Sequence, residues 1–167
     1  MKRQTIIKDC CKRHANASIL ASVAFIPAPI VYADITGKVV AVADGDTITV
    51  LRDQEQMKIR LVEIDAPEKA QAFGSRSKQS LSDLCFGRMA TLDVKGKDRY
   101  GRTLARVYCD DIDANAEQVR RGMAWVYRKY APMVSPLYAV ENEAKVARRG
   151  LWADAEPMPP WEWRRHK

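Results

Sequence analysis

Between Ile35 and Ile64 the chain sets three Val/Ile-rich runs one after another, Ile35–Ala43, Thr47–Leu51 and Met57–Ile64, with only a turn or a short polar loop between them. Apolar and polar residues alternate through parts of these runs, which is the period of a half-buried strand. Gly45 within Asp44-Gly45-Asp46 makes the first turn easy, and Arg52–Gln56 supplies a polar hairpin loop. In the third run Met57, Ile59 and Leu61 share one face and Lys58, Arg60 and Val62 the other, so Arg60 is displayed opposite the most apolar side. Asp65-Ala66-Pro67-Glu68 ends the strand, because Pro67 lacks a ladder donor and biases Ala66 away from helix.

The remainder mixes helices and strands. Gln79–Phe86 has helical spacing, with Leu81, Leu84 and Cys85 on one side and Gly87 placed to stop it. Ala90–Val94 and Thr103–Cys109 read as strands flanking the charged loop Lys95–Arg102. Ala114–Tyr127 predicts a second helix, and Leu137–Arg149 a third that Gly150 terminates. The tail, with Pro157, Pro159 and Pro160 before Trp161-Glu162-Trp163, is too proline-rich for regular structure. Five short strands, one helix after the third and two more at the end predict an α+β domain whose sheet edges are best closed as a small barrel. The element order is compatible with a five-stranded OB-fold barrel carrying three helices.

The first 33 residues stand apart. Lys2, Arg3, Lys8, Lys12 and Arg13 precede an uncharged stretch from Ala15 to Ala33 that closes on Val31-Tyr32-Ala33. This is the pattern of a secretory signal peptide cleaved before Asp34. An uncleaved anchor is the alternative; Asn16, Ser18, Ser22, Pro27 and Pro29 weigh against it, because they leave an apolar run of signal-peptide length. The division expected is thus a leader over residues 1–33, a domain over 34–155 and a Pro/Trp-rich tail over 156–167. The expected address is the periplasm or the medium, with no membrane contact after cleavage, and the mature chain reads as a monomer.

Removing the leader changes the charge argument. Of 28 Lys/Arg and 21 Asp/Glu, five bases and one acid lie in the first 33 residues, leaving 23 against 20 beyond and a net of +3 in place of +7. Such a balance is compatible with a nucleic-acid partner without indicating one, so the case rests on where the arginines fall. Cys85 and Cys109 remain after cleavage; an exported pair favours a disulfide, with two buried free thiols as the alternative. The chain has two histidines, His14 in the leader and His166 beside the C-terminus. That distribution excludes most histidine-dependent hydrolysis and leaves carboxylates, arginines and a hard metal ion as catalytic parts.

Asp44-Gly45-Asp46-Thr47, Arg60 through Glu68, Asp98-Arg99-Tyr100-Gly101-Arg102, Asn115 with Val119-Arg120-Arg121-Gly122, and Gly150-Leu151-Trp152 follow one another at compatible spacings. Each string alone is an ordinary turn or charge cluster. Together and in order they resemble the staphylococcal nuclease-like (thermonuclease) family over essentially the whole mature chain. The resemblance implies an OB-fold barrel and calcium-dependent hydrolysis of DNA and RNA to products with 3′-phosphate ends. By position it implies Asp46 and Asp65 as calcium-ligating carboxylates with the backbone carbonyl of Ala66, Glu68 as the residue that orients or deprotonates water, and Arg60 and Arg102 as the phosphate-binding arginines. Ala66 departs from the best-known member, which has threonine there, although a main-chain oxygen is available from either residue.

The physical chemistry agrees. Two aspartates at strand ends can hold a hard cation, and planar guanidinium groups match the equatorial oxygens of a phosphodiester that gains charge as water attacks. Asp44 reads as a turn residue. Arg99 and Tyr100 either touch substrate or stabilise the loop that aims Arg102, and Tyr127 and Tyr130 either stack on a base or pack a helix end. Arg120, Arg121, Arg148 and Arg149 read as solvated helix faces and caps, and Trp152, Trp161 and Trp163 as aromatics that dock a terminal segment. The competing function is an OB-fold nucleic-acid-binding module without activity. Such a module has no use for acids that repel phosphate, and here Asp46, Asp65, Glu68, Arg60 and Arg102 are all present.

Overall fold

The computed structural model describes residues 35–166, all of them within the unit Ala33–Lys167. The expected leader lies outside the described residues. Strands β1 (Ile35–Val42), β2 (Thr47–Arg52) and β3 (Glu55–Leu61) form an antiparallel meander, as the turn chemistry requires. Strands β4 (Ile64–Asp65), β5 (Met89–Lys97), β6 (Thr103–Cys109), β7 (Ile112–Asp113) and β8 (Trp125–Val126) follow, with helices α1 (Gly74–Cys85), α2 (Ala114–Arg120), α3 (Leu137–Val146) and α4 (Pro160–Trp163) between and after them. β1 also pairs with β5, and β5 with β6. A parallel pairing of β3 with β6, Ile59 opposite Thr103 and Arg60 opposite Leu104, closes the five long strands into a barrel. The expected five-stranded barrel with helices is therefore the observed fold.

Alternation explains the interior. Val39, Ile48, Val50, Ile59, Leu61, Leu92, Ala105 and Val107 are buried and fill the barrel, while α1, α2 and α3 cover it with Leu81, Leu84, Val119, Leu137 and Ala144. Cys85, the last residue of α1, is disulfide-bonded to Cys109, the last residue of β6, with a Cα–Cα distance of 5.3 Å.

Several expected boundaries differ: β3 starts at Glu55 within the expected hairpin loop, β5 runs on to Lys97 into the expected charged loop, and four further differences have a local reason. The third strand ends at Leu61, because Glu63 takes a left-handed conformation (φ 64°) and Ile64–Asp65 turns away to pair with Trp125–Val126. α1 begins at Gly74 and not at Gln79; its first turns bury small polar residues, Ser77 and Ser80, which carry no apolar signal. α2 stops at Arg120 because Gly122 (φ 66°) packs backbone against backbone, a Cβ there lying 2.1 Å from the Arg149 carbonyl oxygen. α3 ends at Val146, shortly before Arg148 turns left-handed (φ 48°). The tail corrects a further expectation, since Pro160 opens a four-residue helix at a position where the missing N–H has no helical partner to lose.

Candidate active site

The Asp44–Asp46 turn is fixed from three sides. The Asp44 carboxylate accepts from the Asp46 N–H at 3.1 Å, closing an Asx-type turn. The Gly45 carbonyl accepts from Gln118 Nε2 of α2 at 2.7 Å, and Leu61 N–H donates to the Asp46 carbonyl at 2.9 Å. Gly45 is buried against α1, and a Cβ there would stand 1.8 Å from Ser77 Oγ. No larger residue fits without moving the turn that carries Asp46.

Asp46 and Asp65 then meet at one guanidinium. Arg60 Nη1 lies 3.0 Å from Asp46 Oδ2 and Nη2 lies 3.0 Å from Asp65 Oδ1. The same Nη1 donates to the carbonyls of Leu61 and Ile64, each at 3.0 Å, so the β3–β4 bend wraps around Arg60 and aims it. Asp46 Oδ2 also accepts from the Ala66 N–H at 2.6 Å, which ties the two acidic segments together. The two aspartate side chains are almost completely buried. Burial pushes the Asp46 carboxyl up to about 7 even though the Arg60 charge pulls it down, and the negative charges of Asp44 and Asp65 add to the rise.

Glu68 and Arg102 face the same cleft. Its volume is about 1120 Å³, and Asp44, Asp46, Arg60, Asp65, Glu68 and Arg102 are among its lining residues. The Glu68 N–H is held by Gln71 Oε1 at 3.1 Å, which fixes the backbone behind the carboxylate. Arg102 is aimed by Asp98, which accepts from its Nε at 2.8 Å and from its backbone N–H at 2.9 Å. Burial works against the charge on Asp98, but the hydrogen bonds from the Arg102 side chain and from the Arg102 and Tyr100 N–H groups outweigh it and lower the pKa. The Arg99 guanidinium lies over the Tyr100 ring, 4.8 Å from its centroid, which supports the loop-stabilising reading of this pair.

The structure thus brings Asp46, Arg60, Asp65, Ala66, Glu68 and Arg102 to one cleft. Tyr127 and Tyr130 line it as well, edge to face at 5.0 Å. Arg120 and Arg121 pair with Glu117 on the surface of α2, in keeping with a solvated helix face. Sequence reasoning missed three contributors. Asp98 sits inside a quoted motif, yet nothing in the string says that it holds Arg102. Gln118 braces the Asp44–Asp46 turn across 73 residues. Arg164, beyond α4, places Nη2 2.7 Å from Asp65 Oδ2 and Nη1 2.7 Å from Glu68 Oε1. Burial opposes the Arg164 charge, but its hydrogen bonds to Asp65 and Glu68 win and its pKa rises.

The donor set fits a hard divalent cation. Asp46 and Asp65 are bridged by one guanidinium, and all the candidate donors are oxygens, which suits calcium, magnesium or manganese better than zinc or copper. One guanidinium is too little compensation for the buried Asp46, so a cation beside it would favour the carboxylate form. Among the described residues no group of three or more Asp, Glu, His or Cys side chains is placed to hold a metal ion, so a cation on Asp46 and Asp65 would need further oxygens from the backbone, water or substrate.

Comparison with known proteins identifies the family. Residues 58–154 match the model of the family described as staphylococcal nuclease homologue. An uncharacterized endonuclease of Escherichia coli is 47% identical over 141 residues, which is 83% of this chain and 91% of that protein. A micrococcal nuclease of Shigella flexneri is 43% identical over 161 residues, covering 90% of this chain and 92% of the other, and an uncharacterized endonuclease of Haemophilus influenzae is 50% identical over 133 residues, 79% and 74%. The family match begins within β3 and runs past α3, so Arg60, Asp65, Glu68 and Arg102 fall within it, while β1, β2 and Asp46 precede it. With that match and these relatives, the chain belongs to the staphylococcal nuclease family.

Proposed function

We propose that this protein is an exported, sugar-nonspecific nuclease that hydrolyses DNA and RNA phosphodiesters with the help of calcium and leaves 3′-phosphate ends. The nuclease assignment rests on the family. One observation carries the site assignment: Arg60 bridges Asp46 and Asp65 at 3.0 Å each in a cleft that Glu68 and Arg102 also line.

Asp46 and Asp65 would hold the cation together with the Ala66 carbonyl oxygen. A bound calcium ion would polarise a phosphoryl oxygen and favour attack by water. Arg60 and Arg102 would bind the phosphate from two sides and meet the charge that develops on its equatorial oxygens. Glu68 is exposed enough to reach water and would orient it and take its proton. In this scheme both arginines grip the phosphate, which DNA and RNA share, and neither reads the 2′-OH, as a sugar-nonspecific enzyme needs. The products with 3′-phosphate ends and the choice of calcium rest on the family resemblance, and the protein would act as a monomer.

The test uses purified protein on single-stranded DNA, duplex DNA and RNA, each with calcium or with chelator, and end analysis of the products. Cleavage of all three that chelator abolishes supports the proposal. Binding without cleavage would favour the inactive module. Export is tested separately: material recovered from the periplasm or medium should begin at Asp34, and intact Met1 protein in the membrane would overturn that part.

A further inference from the structure

The segment after Pro157 reaches into the cleft through a chain of contacts. Gln71 Nε2 donates to the Met158 carbonyl at 2.6 Å, while Oε1 of the same amide accepts from the Glu68 N–H at 3.1 Å. The Trp161 ring lies flat on Tyr127, with centroids 5.2 Å apart and planes 7° from parallel. From this base Arg164 extends to Asp65 and Glu68, so both oxygens of Asp65 are engaged by guanidinium groups, Oδ1 by Arg60 and Oδ2 by Arg164.

The two arginines are not equally easy to move. Arg60 rises from a barrel strand, is 13% exposed, and donates to two backbone carbonyls besides contacting the two aspartates. Its departure would strand buried acceptors and two buried carboxylates. Arg164 is 41% exposed and follows a four-residue helix near the chain end. Water can solvate the half-exposed Arg164 guanidinium when it leaves, and the buried Asp65 would keep Arg60 and gain the cation. A cation that needs oxygen from Asp65 therefore meets least resistance at Arg164.

We infer that Arg164 is a positioning residue of this centre: it acts as a resident counter-cation that holds Asp65 and Glu68 in place in the cation-free protein and cedes Asp65 when a divalent cation binds. The C-terminal arm and the cation then compete for one carboxylate. This inference rests on the cation reading of Asp46 and Asp65 given above.

The experiment is calorimetric titration of the chelator-stripped full chain with calcium alone, paired with melting curves, for the parent, Arg164→Ala, Arg164→Lys and Trp161→Ala. Arg164→Ala should bind calcium about three- to tenfold more tightly, the scale of one well-placed ion pair. It should also melt earlier than the parent without calcium, and with the parent at saturating calcium. Trp161→Ala keeps the arginine but loosens the arm, so it should shift affinity in the same direction, whereas Arg164→Lys should stay close to the parent. A purely structural Arg164 would give the opposite sign, weaker binding and a lower melting point in both states. Unchanged or weaker calcium binding by Arg164→Ala overturns the inference alone. If neither parent nor variant binds calcium, the cation reading fails and the inference with it.

Discussion

The two arginines proposed to bind phosphate differ in what else they hold. Arg102 leans on Asp98 and stands partly exposed in a loop, so Arg102→Ala should lower turnover by about 10²-fold or more, the scale of a lost charge stabiliser, with little change in melting temperature. Glu68→Gln should cost a similar factor, about 10²-fold, through loss of the proposed base. Among the described residues only Arg60 bridges Asp46 and Asp65, and Arg60→Ala should cost about 3–5 kcal/mol of stability in cation-free protein as well as activity, because it leaves the buried Asp46 carboxylate uncompensated. Lys78→Ala on the exposed face of α1 serves as the control and should change neither. Steady-state rates beside chemical denaturation of each variant separate the two behaviours. If Glu68→Gln and Arg102→Ala kept near-parent rates in folded protein, these positions would not be catalytic.

Among the elements, the loop between β5 and β6 carries a titration with a definite sign. The pKa of Asp98 is lowered by folding, so its contribution is fully present above the unfolded value of 3.8 and fades as pH falls through the lower folded value. Backbone amides of Tyr100 and Arg102 should accordingly lose hydrogen-exchange protection in acid below that value, while β5 and β6 stay protected. Asp98→Asn should abolish this acid step; persistence of the step in the variant would point to another group. The elements also show what a sequence makes legible. The strands announced themselves by alternation, and Arg60 by standing opposite the Ile59 and Leu61 face. α2 read seven residues too long because Val126 and Tyr127 continue a plausible helical spacing, and only the backbone contact of Gly122 with Arg149 shows why the helix must stop. The contact of Arg164 with Glu68 spans 96 residues and leaves no trace in local pattern, so the tail read as docking aromatics and nothing more.

Across the whole molecule, the disulfide joins the end of α1 to the end of β6, and so couples the helical cover to the barrel wall. Its removal should cost about 2–4 kcal/mol, mostly by freeing the unfolded chain, and lower the melting temperature by roughly 10 °C. Thermal unfolding of Cys85→Ser/Cys109→Ser against the oxidised parent measures this, and equal melting points would mean that the bond contributes nothing. The barrel closes where β3 runs parallel to β6, and this seam pairs Arg60 with Leu104, two residues after Arg102. The strands that complete the cylinder are therefore the ones that set the spacing of the two guanidinium arms. Any breathing that unzips them would part the arms, so under the proposed roles of the two arginines the rate of cleavage would double as a gauge of whether the cylinder is shut.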